Sequence, residues 1–138
     1  MRVSGSLFIA LLVTGCTATQ KYMTPSGVEK DKLASVYIYR TRLQYQSLNP
    51  EKQFVFVDEL AACKLGTGDF IHVYVTAGKH KIVVRNSFAF LPTDVGAGIE
   101  VSVEEQTSYF VRYTMEPRVF GDYQFLNLTT KPQFELRK

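Results

Sequence analysis

From Ala34 onward, hydrophobic and polar residues alternate over short stretches, as in β-strands that bury one face. Residues 35–40 place Val36 and Ile38 on one face and tyrosines on the other. Residues 70–75 alternate in the same way, whereas residues 54–57 form a continuous apolar run that is typical of a strand buried on both faces. The pattern predicts further strands at 80–85, 99–103, 108–113 and 123–128, with a short last strand at 134–136.

Turn-forming residues separate these stretches. They occur at Asn49-Pro50, Gly66–Gly68, Thr76–Gly78, Gly96–Gly98 and Gly121-Asp122. No helical period longer than two turns competes with the strand pattern. About seven to eight short strands in the 105 residues from Ala34 predict an all-β, antiparallel β-sandwich. Sequential hairpins and Greek-key connections fit the pattern equally well.

The first 16 residues combine a basic residue, a short apolar stretch and a cysteine. Arg2 precedes the apolar stretch 7–13, which as a helix spans about 10 Å and is too short for a bilayer core of about 30 Å. The following Val13-Thr14-Gly15-Cys16 resembles a lipobox. We therefore expect a signal peptide at 1–15, a lipidated amino terminus and flexible linker at 16–33, and the β-sandwich domain at 34–138.

The lipobox resemblance implies that Cys16 carries lipid and attaches the mature chain to a membrane. Two or three acyl chains hold a protein on a bilayer, whereas one chain does so marginally. Thr17 stands where an aspartate would signal inner-membrane retention, so we expect an outer-membrane protein that faces the periplasm. The similar pattern Leu60–Cys63 has no preceding apolar stretch and is interpreted as a coincidence.

A second resemblance covers roughly residues 34–130. The order Val55–Asp58, Lys64–Gly66, Phe70–Val75 and Ala77–Ile82, followed by Tyr109, Arg112 and Tyr113, is similar to the DUF2846 family of small bacterial lipoproteins. Glu59 and Ala77 depart from the glycine and proline that are usual there. The resemblance implies a sandwich like the carboxypeptidase-regulatory and PEGA-like domains, which are non-catalytic, and it leaves the role open.

Composition and titratable residues give no sign of an enzyme. The net charge of +3 comes from scattered basic residues, so we expect no nucleic-acid partner. Cys63 with His72 or His80 could form a thiol site, but we interpret Cys63 as a buried structural cysteine. The histidines lack metal-ligand spacing, and His80 is expected to bond a turn carbonyl. We predict no catalytic residues, no metal and no cofactor.

The segment 86–98 is the strongest candidate for a contact site. Phe88, Phe90 and Leu91 lead into a stretch that contains Pro92 and Gly96, and they either mark an interaction site or complete the core. Tyrosines could line a glycan or peptide groove or merely cover the sandwich edge; they are Tyr37, Tyr39 and Tyr45.

The sequence therefore predicts a non-enzymatic, membrane-anchored envelope lipoprotein that binds an envelope protein or assists an assembly. Its expected partner contacts are Phe88, Phe90, Leu91 and Tyr39. The alternative is a lipoprotein that binds glycan, peptidoglycan or lipid.

Overall fold

The structure is a computed structural model that describes residues 21–42, 52–119 and 121–137. Eight strands form its body. They are β1 (Ala34–Arg40), β2 (Gln53–Val57), β3 (Leu60–Leu65), β4 (Phe70–Val75), β5 (Gly78–Phe88), β6 (Leu91–Val103), β7 (Ser108–Arg118) and β8 (Gly121–Thr129). A 3-10 turn (Lys30–Lys32) precedes β1, and the short helix α1 (Lys131–Glu135) follows β8. Within the described part of the chain, no helix has the length and apolar character needed to span a bilayer.

The strands form two four-stranded sheets, with orders β4-β1-β7-β8 and β3-β2-β5-β6. Neighbouring strands are antiparallel except β1 and β7, which run parallel. Val36 and Ile38 point into the core, as the alternation predicts, together with Val55, Ile82 and Val111 from the neighbouring strands. The predicted all-β sandwich of seven to eight strands is confirmed.

Strand β3 was not predicted, because its side chains are mostly half-buried or exposed and leave no clear apolar period. It pairs with β2 through a two-residue turn at Asp58 and Glu59. Both turn residues have positive φ, 49° and 69°, as the tight turns favoured in hairpins require. Asp58 and Glu59 therefore form the tight turn of the β2–β3 hairpin.

The predicted turn at Gly96–Gly98 is wrong. These residues lie inside β6, opposite Val83, Val84 and Arg85 of β5. Gly96 serves close packing there: a Cβ atom on it would lie 2.0 Å from the carbonyl oxygen of Val84. The glycine that resembled a turn signal is instead required by the approach of two backbones.

The predicted short last strand at 134–136 is also wrong, since α1 occupies most of this stretch. Thr130 precedes the helix, and its backbone N–H donates to the side-chain oxygen of Gln133 at 3.2 Å. Pro132 lies in the first turn, where its missing N–H has no consequence. Three apolar-rich residues were too few to distinguish a strand from a helical turn.

The register of the strands defines the two ends of the sandwich. At one end, the arm end, β1 finishes at Arg40 and β2 begins at Gln53. The hairpin β5–β6 continues past this level as a first arm (residues 86–95), and β7–β8 continues as a second arm (residues 114–125). The opposite end, the amino-terminal end, contains the Asp58–Glu59 turn and the start of β1.

Candidate functional site

The first arm is a strand pair with no buried residue along its whole length. Its tip carries large apolar side chains in solvent: Phe88 is 76% exposed, Phe90 61% and Leu91 68%. Val95 is 61% exposed farther down β6. These values rule out the interpretation that Phe88, Phe90 and Leu91 complete the core. Clustered exposed apolar residues of this kind mark surfaces that bind something.

The turn at the tip is built from residues that disfavour it. Ala89 and Phe90 connect Phe88 to Leu91 with φ values of 50° and 62°. Asparagine and glycine are preferred at such positions, and another residue in the left-handed region is less stable by about 1–2 kcal/mol. Strain of this kind concentrates at functional sites. Here it keeps an aromatic side chain at the outermost point of the arm.

An irregularity in β6 shapes the base of the first arm. The register shifts between Arg85 and Ser87, where one residue of β5 faces three of β6. The hydroxyl of Thr93 donates to the carbonyl of Asn86 at 3.1 Å and accepts from the backbone N–H of Val95 at 3.3 Å. This part of the first arm is thus a bulged strand pair.

The residues that lead in from the amino terminus attach at the other end of the molecule. The backbone N–H of Tyr22 donates to the carbonyl of Ala61 at 2.7 Å. Its hydroxyl donates to the carbonyl of Tyr74 at 2.5 Å. Burial, helped by the negative charge of Asp58, raises the pKa of Tyr22. Residues 21 and 22 of the predicted flexible linker therefore belong to the folded domain.

Tyr39 cannot act as a partner contact, and that prediction is corrected. Its side chain is fully buried, at 0% exposure. The hydroxyl lies 2.7 Å from Oγ1 of Thr129, and the ring meets Phe134 of α1 edge-on at 5.3 Å. The prediction assumed one solvent-facing side of β1, but α1 covers that side.

Tyr37 does not offer a flat face to a glycan. It stacks on His72 of β4 at 4.3 Å and on Phe110 of β7 at 5.1 Å, with interplanar angles of 6° and 12°. These three residues are directly opposite one another in the sheet. Since both faces of Tyr37 are occupied, a sugar has no ring face on which to stack. Tyr45 lies outside the described residues.

His80 is engaged at both ring nitrogens. Nε2 donates to the carbonyl of Thr76 at 2.6 Å, as predicted, and Nδ1 lies 2.5 Å from Oδ2 of Asp58. Oδ1 of Asp58 accepts the backbone N–H of Lys81 at 2.9 Å. Both ring nitrogens are therefore engaged by protein atoms. This network joins the β2–β3 turn to the start of β5.

His72 and Cys63 lie on different sheets from one another. Nε2 of His72 lies 2.9 Å from Oγ of Ser35. Burial, together with the charge of Lys30, lowers the pKa of His72. Cys63 is exposed on β3, so its interpretation as a buried cysteine is wrong. The structure does not assemble Cys63, His72 and a carboxylate into a thiol site. Nor do the described residues contain three potential metal-ligating side chains in one group.

A cleft of about 250 Å³ lies at the base of the second arm, beside the end of β1. Its lining includes Arg40, Arg112, Glu116 and Phe125. Arg40 is 5% exposed, donates to Oε1 of Gln53 and stacks over the ring of Tyr113. Nε of Arg112 is buried without a hydrogen-bond partner.

The sequence analysis missed this cleft. The signal was the alternation of Val36, Ile38 and Arg40, which places an arginine on the inward face of β1.

Cys16 and the predicted signal peptide at 1–15 lie outside the described residues. Comparison of the chain with protein-family models, curated proteins and solved structures finds no match. The candidate site therefore rests on the geometry of this chain: an apolar, strained hairpin tip at the arm end, opposite the attached amino-terminal segment.

Proposed function

We propose that this protein is a non-enzymatic lipoprotein of the bacterial envelope that binds a protein partner through the tip of the first arm. The observation that carries the proposal is the exposure of Phe88, Phe90 and Leu91 on an arm that has no buried residue. Aromatic and large aliphatic side chains dominate the centres of protein interfaces. The arm presents three of them together without help from the core.

The residue types of the first arm support binding of a protein partner over a catalytic role. Titratable side chains are sparse there, since Asp94 is the one charged residue in the sequence of residues 86–95. The groups with possible catalytic chemistry lie elsewhere, and both nitrogens of His80 are held by protein atoms. We accordingly propose binding without chemistry.

Site-specific photocrosslinking in the native cell tests the binding site. A benzophenone amino acid at position 90 is expected to trap one discrete protein, identified by mass spectrometry. The same probe at Glu59, an exposed turn residue at the amino-terminal end, is the matched control and should trap nothing discrete. Equal trapping from both positions, or none from position 90, contradicts the proposal.

The membrane anchor is a proposal of its own. The lipobox resemblance supports lipidation of Cys16, and Thr17 in the next position supports placement in the outer membrane, facing the periplasm. Cys16→Ser should abolish lipid labelling and move the chain out of the membrane fraction, whereas Cys63→Ser should change neither. If the Cys16→Ser chain stays processed and membrane-bound, the lipoprotein assignment is wrong.

A second candidate function is binding of a glycan or another small envelope ligand in the cleft. The buried Arg40, the unpaired Nε of Arg112 and the ring of Phe125 are groups that commonly bind sugars and anions. Saturation-transfer NMR with peptidoglycan fragments tests it. A signal that disappears in Arg112→Leu and persists in Phe90→Ala favours this role; no signal with any fragment excludes these ligands.

A further inference from the structure

The second arm lies at the same end of the molecule as the first. β5 runs toward the arm end, and β6 returns to the amino-terminal end, where residues 104–107 connect it directly to β7. β7 therefore runs from the amino-terminal end toward the arm end, where it continues into the second arm. The edge strands β6 and β8 of the two sheets contact each other, and both continue into the arms at the same end of the sandwich.

Exposed apolar residues continue from the first arm onto the second. Val119 is 92% exposed and Tyr123 is 47% exposed. Past Tyr113, the last residue of β7 that pairs with β1, β7 extends by five residues, or about 17 Å. The second arm thus reaches at least as far from the sandwich as the first.

We propose that the two arms form one composite docking surface for a single protein partner. The partner surface we infer has an apolar depression for the arm tips and a border of lysine or arginine. This inference rests on the proposed function of the first arm and extends it to the second arm and to the chemistry of the partner. In this arrangement Phe90 and Tyr123 contact the same molecule.

The charges of the arms indicate the basic border. The charged residues in the sequences of both arms are Asp94, Glu116, Arg118 and Asp122. Three are acidic, one is basic, and no lysine is among them. A partner bordered by lysine or arginine complements this balance, and such complementarity mainly speeds association. An anionic bilayer does not, because surface binding to lipid depends on clusters of basic residues.

The position of the amino terminus also argues against the anchoring bilayer as the occupant. Lys21 pairs with Ala61 close to the amino-terminal end. From Cys16 to Lys21 an extended chain spans about 18 Å, whereas β5 alone covers about 35 Å toward the arm end. If the amino-terminal end of the sandwich faces the membrane that holds Cys16, the arm end faces away from that membrane. The surface the arms meet is then that of a protein domain in the periplasmic space.

Coupled crosslinking in cells tests the inference on the full-length chain. Photoreactive probes at position 90 and, separately, at position 123 are expected to trap the same protein. In the variant that carries the probe at position 123, the additional change Phe90→Ala should reduce the yield of the partner adduct at least fivefold, because both arms bind one partner. Lys79→Ala, a change at the amino-terminal end, is the matched control and should leave the adduct unchanged.

The outcomes separate this inference from the proposed function. A protein trapped from position 90 but not from position 123 overturns the composite surface and leaves the first-arm proposal standing. Different proteins from the two positions do the same. No adduct from position 90 overturns both proposals. An adduct of twice the chain's mass identifies a second copy, and a lipid adduct identifies the bilayer; either overturns the inferred partner.

Discussion

Tyr37 and His72 occupy directly opposite positions on β1 and β4, and their rings stack at 4.3 Å with an angle of 6° between the planes. The ring centre of Tyr74 also lies 4.5 Å from that of the imidazole. Lys30 places its ammonium group 5.1 Å from the ring centre of Tyr74. A neutral imidazole suits this position better than a charged one.

The pKa of His72 is lowered by burial and by Lys30. The folded state therefore binds this proton less readily than the unfolded chain, and stability falls as pH drops below the usual histidine pKa of about 6.5. In His72→Phe, which keeps an aromatic ring on Tyr37, the loss of unfolding free energy between pH 7.5 and 5.0 should be smaller. Urea unfolding at several pH values measures the free energy of unfolding. If this free energy depends on pH in His72→Phe as it does in the unchanged protein, the lowered pKa of His72 is contradicted.

Gly96→Ala should destabilise the fold by about 1–3 kcal/mol, because the added Cβ would lie 2.0 Å from the carbonyl oxygen of Val84. Gly98→Ala is the matched control: its Cβ would first meet the methyl group Cγ2 of Val83, at 3.4 Å. Thermal unfolding of both variants compares the two. Equal midpoints would contradict the close approach of β5 and β6 at Gly96.

Ala89→Asn should stabilise the protein by about 0.5–1 kcal/mol, because asparagine tolerates the left-handed conformation of this turn residue. Partner trapping from position 90 should persist, since the apolar tip stays intact. Phe90→Gly should also stabilise the turn but should weaken binding. Denaturant unfolding and a pull-down with the trapped partner separate the two effects. Destabilisation by both changes would refute the strained turn.

Phe134→Ala should loosen the aromatic cover on the outer face of the first sheet. Phe134 contacts Tyr39 and Phe70 edge-on at 5.3 and 5.2 Å. The ring is half-buried, so the loss should be below the roughly 3–5 kcal/mol of a fully buried phenylalanine. Near-ultraviolet circular dichroism should change as Tyr39 gains solvent. Lys131→Ala, on the same helix but exposed, serves as the comparison. It should change neither the stability nor the near-ultraviolet circular dichroism.

The strands that alternate strongly could be predicted from the sequence, because Val36 and Ile38 repeat with the period of a strand that has one core face. Strand β3 lacks that period. Tyr39 was misplaced for a longer-range reason: α1 covers the other face of β1, and no local pattern near Tyr39 shows that a distant segment will pack there.

For the candidate site, the apolar residues of the first arm could be identified from the sequence, but their geometry could not. In the sequence, Gly96 is compatible with a turn or with a close approach of two backbones. Only the position of the partner strand β5 distinguishes these two roles. The proposed role of Tyr123 in the docking surface depends on the strand order, which places the hairpins β5–β6 and β7–β8 at the same end of the sandwich. The inward position of Arg40 could have been predicted, because Arg40 lies two residues after Ile38 and therefore on the same face of β1.

The parallel pairing of β1 with β7 joins residues 73 positions apart in the chain, as Ser35 and Ser108 show. β1 lies inside its sheet, so this distant contact is needed before the first sheet is complete. Contacts of such high sequence separation slow folding, since a long loop must close before they form. Until β7 arrives, β1 keeps an open edge of unpaired backbone groups, and the incomplete chain is prone to pair with other chains there.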